Sequence, residues 1–234
     1  MTWATPAQFR GRYDDLIFCP LDLPKPPEVV VEDFVRWMKV GQDAQRIAPK
    51  LAFERVEKRT YPWLMRTMTD DFAPLAEAFP DVSKYLSVFP FRKLRSVVIL
   101  AQQGHQAVHT HTDSDGLYGM RFYLTAKNAE GLHFFKGRSR YDRCDNYKRT
   151  PTGELVRADW DALFDTGNPV FASLPEETRA FMLNNARAAH AVSPNTCELG
   201  ERIAVLVQGE LDEARRDTLL ERSLKRFGQN AIWY

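Results

Sequence analysis

Residues 94–102 read Leu94-Arg95-Ser96-Val97-Val98-Ile99-Leu100-Ala101-Gln102. A short apolar run rich in β-branched side chains, with charged and polar residues at its margins, predicts a buried strand rather than a helix. It also marks a change in the chain. Residues 119–125, 131–135, 179–183, 186–192 and 202–208 repeat the pattern, each short, β-branched or aromatic, and punctuated by Gly, Asn or Pro. Six such runs with no long helix between them predict an antiparallel sandwich or barrel.

Outside that region the periodicity is helical. Residues 29–40 carry Val30, Phe34, Trp37 and Met38 at helical spacing, with Glu32 and Asp33 near the start, where acidic side chains favour a helix N-terminus. Residues 70–89 predict a second helical region interrupted at Pro80, and the proline-rich residues 19–27 predict an extended linker. Residues 211–227 form an amphipathic pattern with Leu211, Ala214, Leu219, Leu220 and Leu224 as the packing face. The expectation is an α+β chain forming one domain. Residues 1–93 are a helical part packing on the core, 94–210 the β core, and 211–234 a closing helix. The strand signal lapses over 136–170, which reads as an insertion. Its first part holds Lys136, Arg138, Arg140, Arg143, Lys148 and Arg149 against Asp142 and Asp145, either a solvated surface or a lid that attracts an anion.

Composition narrows the function. The chain of 234 residues has 32 Lys and Arg against 31 Asp and Glu, a formal charge of +1, which disfavours sequence-independent nucleic-acid binding. No stretch approaches the roughly 18 to 20 apolar residues of a membrane helix, and residues 1–20 do not resemble a secretory signal. Cys19, Cys144 and Cys197 are odd in number and form no CxxC pair, which argues against a disulfide framework and a cysteine zinc site. A cytoplasmic protein acting on a small molecule is the simplest expectation.

All five histidines fall between positions 105 and 190, and two of them sit in His109-Thr110-His111-Thr112-Asp113-Ser114-Asp115. In an extended strand, residues two apart share a face, so His109, His111, Asp113 and Asp115 would point the same way. His-x-Asp plus a distant histidine is the ligand pattern of a two-histidine, one-carboxylate iron site. His190, in the small-residue run Ala186-Arg187-Ala188-Ala189-His190-Ala191-Val192, is the candidate third ligand. Arg202 opens the next alternating strand, where it can bind a carboxylate bidentately or else pair with Glu201 or Glu198 at the strand mouth. His133, between Leu132 and Phe134, reads as a structural histidine, and His105 as part of a turn after Gly104.

Together, His111-x-Asp113, His190 and Arg202 resemble the Fe(II)/2-oxoglutarate-dependent oxygenases, and more closely the aspartyl/asparaginyl β-hydroxylase-like branch, which includes hydroxylases of free amino acids. Arg121-Phe122-Tyr123-Leu124 and His190-Ala191-Val192 resemble two further segments of that branch. The resemblance spans about residues 94–210. It implies a double-stranded β-helix core of jelly-roll or cupin-like form with flanking helices. It further implies iron held by His111, Asp113 and His190, 2-oxoglutarate held by Arg202 and Tyr123, and O2 as co-reactant. Arg121 and His109 would contact substrate. The implied reaction is hydroxylation of an unactivated C–H bond on a small carboxylate-bearing molecule, such as a free amino acid, or on Asp or Asn in a peptide.

Two other readings compete. A cupin without 2-oxoglutarate would use His109, His111, Asp115 and His190 and leave Arg202 idle. A non-enzymatic β-sandwich module would make the His-Asp run a surface loop, with Gly116 and Gly119 shaping a turn.

Overall fold

The computed structural model describes residues 12–13, 15–40, 63–102, 104–111, 119–127, 131–135, 147–149, 155–157, 169–184 and 189–234. Antiparallel sheet dominates this mixed α/β structure. The strands are β1 (Leu16–Pro20), β2 (Trp63–Thr69), β3 (Phe91–Gln102), β4 (Gly104–His111), β5 (Gly119–Ala126), β6 (Leu132–Phe135), β7 (Tyr147–Arg149), β8 (Leu155–Arg157), β9 (Val170–Phe171), β10 (Ala180–Leu183), β11 (Ala189–Cys197), β12 (Arg202–Leu211) and β13 (Ile232–Trp233). Among the described residues four α-helices accompany them: α1 (Val31–Val40), α2 (Ala73–Ala78), α3 (Pro80–Tyr85) and α4 (Glu213–Phe227).

A seven-stranded sheet runs in the order β13-β1-β10-β5-β12-β3-β2, and a four-stranded sheet in the order β4-β11-β6-β9. Between β3 and β12, β3, β5, β10 and β12 lie in the larger sheet and β4, β6, β9 and β11 in the smaller, so the chain crosses from one to the other at each step except from β6 to β9. β7 and β8 pair with each other as a separate hairpin.

Two apolar layers flank the large sheet. On its outer face Val97, Ile99, Phe122, Leu124, Val205 and Val207 pack against Phe34 and Met38 of α1, Val82 and Tyr85 of α3, and Leu219 and Leu220 of α4. Its inner face packs on the smaller sheet, where Phe18, Tyr123 and Phe181 meet Leu132, Phe134 and Val192. The Phe18 ring lies 5.9 Å from Phe134 and 5.6 Å from Phe181. Strict alternation along β12 creates both layers at once: Ile203, Val205 and Val207 face the helices, while Ala204 joins the inner cluster.

Several elements depart from the sequence reading. The N-terminal part is not only helical, because β1 and β2 are strands of the large sheet. All five residues of β1 are buried, so it has no alternation to reveal it. The expected linker therefore begins after Pro20. Residue His105 lies in β4 rather than a turn. Strand β11 continues through Ser193-Pro194-Asn195, where a stop was expected, by absorbing a register shift between Val192 and Asn195. Val30 precedes α1 and is 62% exposed, whereas Phe34, Val35 and Met38 carry its packing. Ala214 of α4 is likewise exposed, and Phe227 is buried instead. Pro80 does divide the 70–89 region, separating α2 from α3. No described helix is long and apolar enough to cross a membrane.

Candidate functional site

His190 and His111 are directly opposed across the β11–β4 ladder. Directly opposed residues of an antiparallel pair occupy one face, with Cβ atoms about 4.5–5.5 Å apart. On its other side His190 pairs with Phe134, and Val192 pairs with Leu132. Phe134, Val192 and Leu132 all belong to the inner cluster, so the His190 position faces the sandwich interior. Its side chain is only 1% exposed, and its ring centroid lies 6.1 Å from that of Phe134. Small residues make this possible, since Ala189 and Ala191 flank the histidine with little bulk.

The ladder is irregular beside this pair. His190 opposes His111 but Val192 opposes Val108, so β4 spends three steps where β11 spends two. That extra residue is a bulge, a device that re-aims side chains beside functional sites. It also corrects the expected alternation. Counted back from His111, residue His109 shares its face; counted on from Val108, it does not. Period two therefore does not carry His109 onto the His111 face. Asp113 and Asp115 lie outside the described residues, as do the side chains of His109 and His111.

Arg202 stands where β12 begins, opposite Ala126. It is 3% exposed, and its Nη2 donates to the Tyr123 hydroxyl at 3.0 Å. The guanidinium carbon lies 5.3 Å from the Tyr123 ring centroid. Glu201, the expected alternative partner, instead binds Lys127 through its carboxylate and accepts from the Glu198 amide at 2.9 Å. Register explains the Tyr123 position. Ile203 opposes Thr125 and Ala204 opposes Tyr123, so Leu124 is the extra residue of a bulge in β5. Phe122 and Leu124 then both enter the helix-side core, and Tyr123 turns inward. Arg121, two residues earlier, is half-buried opposite Leu206 and Phe181.

The turn that launches β12 is tightly held. Gly200 has φ +100°, a conformation that favours glycine, and a Cβ there would come within 2.4 Å of Val31 Cγ1. Its carbonyl accepts from Thr125 Oγ1 at 2.6 Å. Helix α1 and strand β5 thus both fix the approach to Arg202.

His133 is placed elsewhere. It opposes Ala191 on one side and Phe171 on the other, one residue out of phase with His190. Its Nδ1 lies 2.8 Å from the Gly131 carbonyl and its ring packs on Phe135 and Phe171, as a structural histidine would. Cys19 is fully buried, and burial pushes its thiol up to about 12, so it stays protonated and inert. Beside the Arg202–Tyr123 pair the structure also holds a cavity of about 830 Å³. The sequence reading did not find it, although Arg179 at its rim stood at the edge of an expected strand.

No family model matches the chain. No curated protein matches it either. Solved structures do resemble it in part. A prolyl hydroxylase from Trichoplax adhaerens, in complex with a hypoxia inducible factor oxygen degradation domain peptide, is 11% identical with a TM-score of 0.47, covering 88% of this chain and 89% of that one. HygX from Streptomyces hygroscopicus, with nickel and 2-oxoglutarate bound, is 16% identical with a TM-score of 0.43, covering 88% of each chain. EvdO2 from Micromonospora carbonacea var. aurantiaca is 12% identical with a TM-score of 0.43, covering 89% of this chain and 93% of that one. Likeness at this level assigns the chain neither a family nor an activity.

Proposed function

We propose that the chain is an Fe(II)- and 2-oxoglutarate-dependent dioxygenase built on a double-stranded β-helix. The observation that carries this reading is the register that sets His111 directly opposite His190, which is buried. The strand order supports the fold assignment, because eight strands divide four and four between two facing sheets, as in a jelly roll. Residues 1–93 and 211–234 then supply the helical layer and the outer strands around a 94–210 core.

The donor set fits a ferrous ion. Imidazoles from two opposed strand positions, with the Asp113 carboxylate two residues after His111, would make a facial triad that leaves coordination positions open. Bound there, iron would supply the oxygen activation that no protein side chain can perform. The chain's own groups do the rest. Arg202, held by Tyr123, would fix the distal carboxylate of 2-oxoglutarate in a buried setting where a charge-assisted bond is strong. Phe134 and Leu132 exclude water from the His190 side. Arg121, with His109, would orient a small carboxylate-bearing substrate such as a free amino acid, so that one C–H bond is presented for hydroxylation.

Anaerobic protein titrated with Fe(II) and 2-oxoglutarate should develop a weak visible charge-transfer band. His190→Ala and Asp113→Ala should each lower iron affinity by more than the 10- to 100-fold that loss of a merely supporting residue costs. Retention of both band and affinity in either variant would reject the ligand set. A succinate-release screen over amino acids, small acids and peptides tests the substrate class. Turnover with peptides alone would reject the free amino acid.

A further inference from the structure

The cavity beside Tyr123 has a composition of its own. One wall is aromatic: the Phe181 ring lies 5.6 Å from Phe18 and 5.2 Å from Tyr123, and all three line the space. Leu132 closes the opposite side from the smaller sheet. Neither Phe134 nor His190 is among the described lining residues. Leu132 is two residues, about 7 Å along β6, from Phe134, the residue paired with His190. The described lining instead includes Tyr123, the partner of Arg202.

Charged residues also line it. Arg179 spends Nη1 on the Leu124 carbonyl at 2.8 Å, which fixes the guanidinium and leaves Nε and Nη2 available among the described contacts. Lys25 is exposed at the same rim, and Glu176 is the only acidic residue described there. Two cations face one carboxylate. A volume of about 830 Å³ falls within the range of small-molecule sites.

We infer that this cavity is a second ligand site, for a monocarboxylate with a flat apolar body. The body would lie on the Phe18–Phe181–Tyr123 wall, and the acid would meet Arg179 and Lys25. A dicarboxylate as short as 2-oxoglutarate has no apolar body to bury there, so the site selects differently from the Arg202 anchor. Tyr123 belongs to both places: its ring lines the cavity and its hydroxyl accepts from Arg202. Occupancy should therefore alter the affinity for 2-oxoglutarate, and reciprocally. This coupling, unlike the binding itself, rests on the proposed role of Arg202.

Calorimetry on the full chain without metal tests the site independently of catalysis, with 3-phenylpropionate as probe and its neutral amide as control. The acid should bind, and the amide at least about tenfold more weakly, as expected when a charge-assisted pair is lost. Arg179→Gln should weaken the acid by about tenfold and Arg179→Lys should restore part of it. Lys25→Gln, at an exposed position that cannot disturb folding, should weaken it less. Equal binding of acid and amide, or indifference to both substitutions, would overturn the site. A second, anaerobic titration with Fe(II) and 2-oxoglutarate both present should show a ternary complex with altered affinity. Simple mutual exclusion would make the cavity an extension of the cosubstrate pocket and overturn the second site. Independent binding of the two acids would overturn the coupling. If phenylpropionate binds as expected and 2-oxoglutarate does not bind at all, the oxygenase reading falls while the cavity assignment stands.

Discussion

The two sheets of this molecule are built to different tolerances. In the larger one, β2 and β3 pair through seven consecutive positions without a shift, and β12 keeps step with β3 from Ile203 to Gln208. In the smaller one, β11 and β4 shift register twice within five recorded pairs, and His190 lies beside one of the shifts. Regular ladders give a continuous apolar face for helices to pack on. Bulges cost pairing but turn selected side chains inward. The large sheet is therefore the frame, and the small sheet is where geometry has been adjusted for the proposed chemistry. The frame has irregularities of its own: β12 and β3 shift twice beyond Gln208, β1 and β13 shift once, and a bulge at Leu124 lies beside Tyr123.

The division of labour can be broken from the frame side first. Phe122 is fully buried, with Tyr85 and Phe89 ring centroids 4.9 Å and 5.6 Å away. Phe122→Ala should destabilise the fold by about 3–5 kcal/mol in denaturant titration, a large share of a typical domain's stability. A loss under about 1 kcal/mol would mean that the helical layer does not hold the sheet.

Arg202→Ala should come next. Truncating one partner of a buried charged pair costs about 2–5 kcal/mol, so 2-oxoglutarate affinity should fall on the order of a hundredfold or more while iron binding persists. Loss of both together would show that Arg202 supports the whole interior rather than one ligand.

Gly209 offers a finer probe of the frame. A Cβ at that position would meet the Lys93 carbonyl at 2.3 Å, where β12 crosses an irregularity in β3. Backbone cannot move aside as a side-chain tip can, and Gly209→Ala should cost about 1–3 kcal/mol. No effect would indicate that the far end of β12 is free to shift without consequence.

The smallest effect belongs to Lys127 and Glu201 at the mouth of β12. The hydrogen bond from Lys127 holds the Glu201 carboxyl below its ordinary value, and the same bond holds the ammonium above its own. A depressed carboxyl stabilises above its unfolded pKa and loses this as pH falls through the folded one. A raised ammonium stabilises below its unfolded pKa and loses this as pH rises through the folded one. The pair should thus contribute weakly between the ordinary values of 4.5 and 10.5 and fade beyond either. Lys127→Met should shift the denaturation midpoint only slightly, and added salt should erase the difference. A shift as large as that of Gly209→Ala would show that this end of β12 depends on charge.

The sequence was most legible where pattern and burial agree. β3, β5 and β12 alternate or run apolar between clear stops, and residues 94–102 alone pointed to the β core. His111, His190 and Arg202 stood out by residue type and order, and Tyr123 only through the resemblance; the register sets His111 opposite His190, and Arg202 bonds Tyr123. Strand β1 escaped because an all-buried run lacks a period, and β2 because Trp63-Leu64-Met65-Arg66-Thr67-Met68-Thr69 mixes its faces. Arg66 there donates to the Trp37 carbonyl at 2.7 Å and stacks on its ring at 3.6 Å, a tertiary contact with no local signature. The bulges escaped for a related reason: one extra residue changes which side chains face inward, yet leaves composition untouched.

Strand β1 has a consequence for how the protein comes to exist on the ribosome. Its neighbours in the sheet are β10, which begins at Ala180, and β13, which begins at Ile232. At about 5–20 residues per second of synthesis, a fully apolar Leu16–Pro20 segment must wait on the order of ten seconds or more for its first partner to emerge. Closing so long a loop also slows pairing once both strands exist. Nascent chains should therefore expose this segment to chaperones, and chains halted before residue 180 should retain an unpaired apolar strand that invites aggregation.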